Sequence, residues 1–296
     1  MPVATVNELD IAFADTGPEA GPAVLLLHGW PDDPSTWDGV ATHLIVAGFR
    51  IIVPALRGFG ETRFRSETAP RTGDPGILAL DAIGLMDALE IRRFSVIGHD
   101  WGSSIAEALA VGWPERVERI AMLSTTPRLG GLKTTGFHQA QLDWYQWFLA
   151  TARGAEAIRD DRRGFAHLNW LNWGPSGWFN DATFAAVSRA WDNDDWLEVT
   201  LHSYRSRWGE VALDERGAWL VNKVSETKTL ALPVLIIQGK DDGVSPPEEI
   251  ENSAESFKGQ FNLILLPGVG HFPQREAPDA VAAHLLSFLG VRSNSG

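Results

Sequence analysis

The sequence predicts an α/β fold: a mostly parallel sheet flanked by helices and interrupted by a helical insertion. Three observations predict it. Short β-rich runs alternate with amphipathic stretches through the first part of the chain, as in βαβ units. From about residue 129 to residue 228 the strand-like runs vanish, and nine of the chain's thirteen tryptophans, from Trp144 to Trp219, crowd in among helical patterns. The alternation then resumes to the end. The expected organisation is therefore a core in two parts, residues 1–128 and 229–296, with residues 129–228 inserted as a helical cap.

The elements follow in order. A hairpin is expected around residues 8–10, then a strand Ala23–Leu27 ending in His-Gly, a strand over 50–53 ending in Pro, a strand over 94–97 ending in Gly, and a strand over 120–123 ending in Ser-Thr-Thr-Pro. Apolar residues at helical spacing mark crossover helices over 77–89 and 105–111. After the insertion come a strand over 233–237, a helical stretch over 247–257, a strand over 262–266 and a final helix over 277–289. There is no internal repeat, low-complexity tract or extended linker.

Composition narrows the function classes. With 296 residues, 44% of them hydrophobic, the chain can bury a large core. A formal net charge of -13 repels polyanions, so nucleic acid is not an expected partner. The absence of cysteine removes disulfides, thiolate catalysis and cysteine metal sites together. The apolar runs are far shorter than the roughly 20 residues a membrane helix needs, and acidic residues interrupt the N-terminal stretch. A cytoplasmic location, no membrane partner and no metal or organic cofactor are the resulting expectations, and a homodimer is compatible with them.

The strongest local signal is Gly98-His99-Asp100-Trp101-Gly102, directly between a strand and a helix. A sharp strand-to-helix turn lifts its central side chain over the sheet in a strained conformation, and small residues must flank it where the backbone crowds. Serine there would mark ordinary esterase chemistry. Aspartate instead attacks carbon as a carboxylate, without first losing a proton.

The ester so formed needs a base to activate water. His271, in Gly268-Val269-Gly270-His271-Phe272 after the last strand, is the candidate, as His43, His138 and His284 better suit surface or core duty. Its orienting acid is one of Asp241 and Asp242 after the preceding strand; Asp242 is favoured by its spacing from Gly239 and Pro246, and the place after the strand 120–123 holds no carboxylate. In His28-Gly29-Trp30-Pro31, the amide following Gly29 can point into the site, so Trp30 and Trp101 are the expected oxyanion donors, with His28 structural. An alkoxide leaving group needs a phenol to protonate it, whereas a halide needs N–H donors. The chain has two tyrosines, Tyr145 and Tyr204, and both fall in the insertion.

Assembled, these residues resemble the α/β-hydrolase-fold epoxide hydrolases over essentially the whole length. His28-Gly29-Trp30-Pro31 resembles the family's oxyanion motif, Gly98 to Gly102 its nucleophile elbow, Trp144-Tyr145-Gln146-Trp147-Phe148 the segment carrying the first cap tyrosine, and Ser203-Tyr204-Arg205 the segment carrying the second, with Ser203 in place of the usual aromatic. The resemblance implies an eight-stranded sheet, Asp100, His271 and Asp242 as the catalytic set, Tyr145 and Tyr204 as ring-opening acids, and an apolar epoxide converted to a vicinal diol. Trp30, Pro31, Trp101, Trp144 and Phe272 are expected to line a largely apolar substrate pocket. Haloalkane dehalogenases of the same fold share the aspartate nucleophile and are the alternative; their second halide donor is often an asparagine at the position that Trp30 occupies here.

Overall fold

The computed structural model describes residues 1–131, 135–251 and 253–291. Its strands are β1 (Val3–Val6), β2 (Leu9–Thr16), β3 (Ala23–Leu27), β4 (Arg50–Pro54), the two-residue β5 (Arg63–Phe64), β6 (Phe94–His99), β7 (Val117–Leu123), β8 (Val234–Gly239) and β9 (Phe261–Leu266). Eight of them run in the order β1-β2-β4-β3-β6-β7-β8-β9, and β5, which the sequence pattern did not reveal, pairs with β2 as the ninth. β1, β2 and β5 are antiparallel to their neighbours, and every pairing from β4 through to β9 is parallel. The first turn falls at Asn7 and Glu8, slightly earlier than expected, with Asn7 at φ 50.

The central strands read as unbroken apolar runs because both faces of a parallel sheet are covered. Successive side chains point to opposite sides. Leu25, Leu27, Val96, Met122 and Ile236 join one apolar cluster, with residues of α2 (Pro75–Ala88) and α3 (Trp101–Gly112). Val24, Leu26, Ile97, Leu123 and Ile237 join the other, with Val40 and Leu44 of α1 (Asp38–Val46) and Val281, Leu285 and Phe288 of the C-terminal helix Pro278–Leu289. Burying each such aliphatic side chain stabilises by about 1.5–3 kcal/mol, so this sandwich fixes the sheet firmly enough to carry a strained turn at its edge. α2 starts where Asp74 accepts from the amides of Gly76 and Ile77, with Pro75 at the first helical position.

Between β7 and β8 the regular structure is helical: α4 (Phe137–Leu142), α5 (Trp144–Ala150), α6 (Ala152–Asp160), α7 (Arg162–Trp173), α8 (Asp181–Ser188), α9 (Trp196–Arg207) and α10 (Ala218–Glu226). α10 packs on α2 and α3. The others are joined to the strand-end loops by directional contacts: Trp170 Nε1 donates to the Pro31 carbonyl at 3.0 Å, Asn193 Nδ2 to Thr62 O at 2.7 Å, and the His271 amide to Trp173 O at 2.8 Å. A buried ionic network ties the same layers. Arg57 holds Asp81 in a two-pronged contact and reaches Glu8, which also binds Arg216, which in turn binds Asp214. The expected helical stretch 247–257 divides into α11 (Pro247–Glu251) and a 3₁₀ turn, Ala254–Ser256; a short α12 (Pro273–Glu276) precedes α13, the C-terminal helix.

Candidate active site

Asp100 joins β6 to α3 with φ 50 and ψ -111, a conformation that costs a non-glycine residue about 1–3 kcal/mol. The surroundings hold it there: its amide donates to Leu123 O at 3.0 Å, and its carbonyl accepts from the Ser103 amide at 3.0 Å and from Thr125 Oγ1 at 3.1 Å. The flanking glycines are required by space. A Cβ on Gly98 would strike the Gly102 backbone, and one on Gly102 would strike the Leu27 carbonyl. Gly29 lies against the Asp100 side chain in the same way, which brings the next amide, that of Trp30, to 2.8 Å from Asp100 Oδ1. Trp101 begins α3, so its amide has no acceptor within the helix.

His271 follows β9 and is almost fully buried. Its Nδ1 lies 3.0 Å from Asp242 Oδ2, and its Nε2 lies 3.9 Å from Asp100 Oδ2 without a hydrogen-bond partner among the described residues. Asp242 accepts from the amides of Val244 and Ser245 and from Gln238 Nε2. Such a carboxylate can only accept, so neutral His271 carries its proton on Nδ1 and turns a bare Nε2 lone pair toward Asp100. Burial works against the imidazolium, but the charge and hydrogen bond of Asp242, with Asp100 and Glu276 beyond, outweigh it and raise His271 above the ordinary imidazole range. Asp241, the other member of the acidic pair, is exposed.

Two further histidines frame the site from beneath. His28 accepts from the Leu56 amide through Nε2, and burial takes it down to about 4. His99 is likewise held near 4, by burial and then by the neighbouring His271; its Nε2 donates to the His271 carbonyl at 2.7 Å. Both are neutral structural groups.

Tyr145, on α5, and Tyr204, on α9, meet with ring centroids 5.4 Å apart in an edge-to-face pair, and both contact the Trp30 ring. Gln146 Nε2 donates to the Tyr145 hydroxyl at 3.0 Å, which fills an acceptor position and leaves the phenolic hydrogen free to be given away. The Tyr204 hydroxyl is buried beside the Trp101 indole. Burial raises both phenols well above the usual range, aided by the Asp100 charge, and for Tyr204 by Tyr145 before it. They therefore stay protonated at any working pH.

Asp100, Tyr145 and His271 line one cavity of about 150 Å3. Residues 22–278 match the family model described as the alpha/beta hydrolase fold. The chain belongs to the α/β-hydrolase fold family. It is 34% identical to the crystal structure of a candidate epoxide hydrolase from Klebsiella pneumoniae, with 97% of this chain and 96% of that one covered and a TM-score of 0.89. It is 26% identical to epoxide hydrolase A of Mycobacterium tuberculosis over 96% of this chain and 95% of that protein, and 26% identical to a non-heme chloroperoxidase of Streptomyces lividans over 97% and 98%. All three are matched over 95% or more of their own length.

The pocket of this α/β-hydrolase differs from the expected one. Trp30, Pro31, Trp101, Trp144 and Phe272 are not among the residues lining the cavity. Trp30 and Phe272 are sealed at 0% exposure, Trp101 is buried against Phe59 and Tyr204, the Pro31 carbonyl is taken by Trp170, and Trp144 lies at the surface, 36% exposed. The tryptophan-rich pattern marks the packing of the insertion more than its pocket. Polar groups missed at the sequence level take the wall instead: Arg128, Thr125 and Thr126 after β7, Asp143 and Gln146 before and within α5, and Arg207 at the end of α9. The one signal that could have found them is position, since Arg128 follows Ser-Thr-Thr-Pro at the end of a central strand and Gln146 is the neighbour of Tyr145. At the junction, buried Glu107 of α3 accepts from the amides of Arg128 and Leu129, and burial lifts its carboxyl to about 7.

Proposed function

We propose that this α/β-hydrolase opens epoxides with water through a covalent ester on Asp100, with residues 129–228 acting as the cap over the site. The observation that carries the reading is the sharing of one cavity by a strained aspartate, a histidine with a free Nε2 lone pair, and a phenol whose hydrogen is unclaimed. The names of two of the three relatives are in accord with it.

In the first step an Asp100 carboxylate oxygen attacks a ring carbon, and the carbon–oxygen bond of the oxirane breaks. The alkoxide takes the Tyr145 proton, with Tyr204 as the adjacent second acid, leaving a hydroxyalkyl ester and a phenolate. In the second step His271 Nε2 removes a proton from water as the water oxygen adds to the Asp100 carboxyl carbon. The Trp30 amide, already 2.8 Å from Oδ1, and that of Trp101 hold the oxyanion. Collapse breaks the acyl carbon–oxygen bond and the diol oxygen takes the His271 proton; Asp100, left as its acid, releases the second water proton as the phenolate regains one, which restores the resting carboxylate and phenol. Asp242 fixes the imidazole tautomer throughout. The substrate is a small molecule that needs no resident cofactor for this sequence of steps.

The test is mass spectrometry of a His271→Gln variant mixed with an epoxide panel. The peptide containing Asp100 is expected to gain the mass of the epoxide and to lose it slowly; an unmodified peptide across the panel overturns the scheme. A second reading is release of halide from a haloalkane by the same aspartate, followed by hydrolysis of the ester by the same His271 and Asp242. Halide release from 1-bromobutane without diol formation from styrene oxide would decide for it.

A further inference from the structure

The wall of the cavity carries cations beside the groups of the proposed chemistry. Arg128 and Arg207 both line it, together with Gln146, Thr125 and Thr126. Arg207 is partly engaged: one nitrogen donates to Gln146 Oε1 at 3.0 Å, and its guanidinium lies 5.5 Å from the Tyr204 ring centroid. The Arg128 guanidinium makes no hydrogen bond or ion pair with another described residue; only its backbone amide donates, to Glu107. Burial and then the like charge of Arg207 disfavour its cation, bringing it down to about 9 against the opposing pull of Glu107, Asp100 and Asp143. The Arg128 side chain is only partly exposed, lies on the cavity wall near a second cation and has no acceptor among the described residues, and its planar fork is matched by a carboxylate.

We infer that Arg128 and Arg207 form a subsite for an anionic group of the substrate, a carboxylate carried on the molecule whose other end meets Asp100. The inference deepens the ring-opening reading and rests on it only for the identity of the reacting group. Charge accounting across the reaction is consistent with it. In the resting site Asp100 and Asp143 face the two arginines. Alkylation turns Asp100 into a neutral ester, and a substrate carboxylate then supplies the missing negative charge where the arginines stand. Trp208, which lines the same cavity and lies tilted against Trp147 with centroids 3.8 Å apart, offers an aromatic surface for the connecting part of the substrate.

The experiment pairs a binding arm with a turnover arm. Binding of phenylacetate and of its uncharged match phenylacetamide is measured by calorimetry on the intact protein. Turnover of 3-phenylglycidate and of its amide is measured beside it. In the unsubstituted protein phenylacetate is expected to bind about 10-fold or more tightly than the amide, as charge-assisted pairs are stronger than neutral ones. Arg128→Gln is expected to bring that ratio close to parity and to raise KM for the glycidate relative to its amide by about 10-fold, and Arg128→Lys to retain part of the preference. Equal binding of acid and amide by the unsubstituted protein overturns the subsite even if neither variant folds, and so does an unchanged ratio in folded Arg128→Gln. A carboxylate preference without opening of either epoxide upholds the subsite and removes the ring-opening reading; efficient opening of both without a preference does the reverse.

Discussion

The strand-end turn around Asp100 and the inserted helices that carry the tyrosines solve the same task, placing a reactive group, by opposite means. At the turn everything needed lies within five consecutive residues: Gly98 and Gly102 allow the crossing, β6 and α3 enforce it, and Asp100 is forced to φ 50. In the insertion nothing local aims Tyr145 or Tyr204. They lie 59 positions apart on α5 and α9, and their meeting is decided by rings packed against Trp30, Trp101 and Trp173 and by the path from Arg207 through Gln146 to the Tyr145 hydroxyl. Backbone strain places the proposed nucleophile and packing places the proposed acids. The first should tolerate surrounding change poorly but transmit little; the second should be adjustable in small steps.

Asp100→Gly is the largest test of that contrast. Turnover should fall by about 100,000-fold because the nucleophile is lost. Stability should rise by about 1 kcal/mol, the strain relieved less the extra freedom glycine has in the unfolded chain. Thermal unfolding checks it, and a lower Tm would mean that the turn stores no strain.

Replacing the phenols sharpens the other side. Tyr145→Phe should slow ester formation by about 100-fold, and Tyr204→Phe, whose hydroxyl is not on the cavity wall, by on the order of 10-fold, with hydrolysis of a preformed ester nearly unchanged in both. Rapid-mixing measurement of the two half-reactions separates these. Equal losses in both steps would show that the rings hold the site together instead of delivering protons.

The smallest effect is in pH. In the proposed mechanism neutral His271 takes a proton from water, so hydrolysis should slow as pH falls through its raised titration point. Asp100 is one of the groups that raise it, and that charge vanishes in the ester. The acid limb of the hydrolytic step should therefore lie at lower pH than the titration of His271 in the free protein, followed by NMR, and Asp242→Asn should move it lower still. Coincident limbs would remove Asp100 from the electrostatics of the base. Both tyrosines are shifted upward, so no phenol titration should appear on the alkaline side below pH 10 or so.

Much of the core was legible because its signals are short-range. Apolar runs ending in His-Gly, Pro or Gly mark strands covered on two faces, and the spacing around Asp100 states its geometry directly. The two-residue β5 was not legible, since Arg63 and Phe64 pair only because β2 lies beside them. The acidic pair Asp241-Asp242 could be narrowed by spacing, and burial then separates a carboxylate with three donors besides His271 from an exposed neighbour. The pocket wall was the least legible part. Tryptophan content says that a region packs, but which indoles face inward depends on how seven helices settle on the sheet.

By itself the sequence determined the α/β alternation, the inserted helical stretch and the identity of the strained aspartate, because each is dictated by neighbours along the chain. Only the tertiary structure decided that Trp30 and Phe272 are sealed in the core while Arg128 and Arg207 reach the cavity, because a side chain's exposure depends on what distant segments place against it.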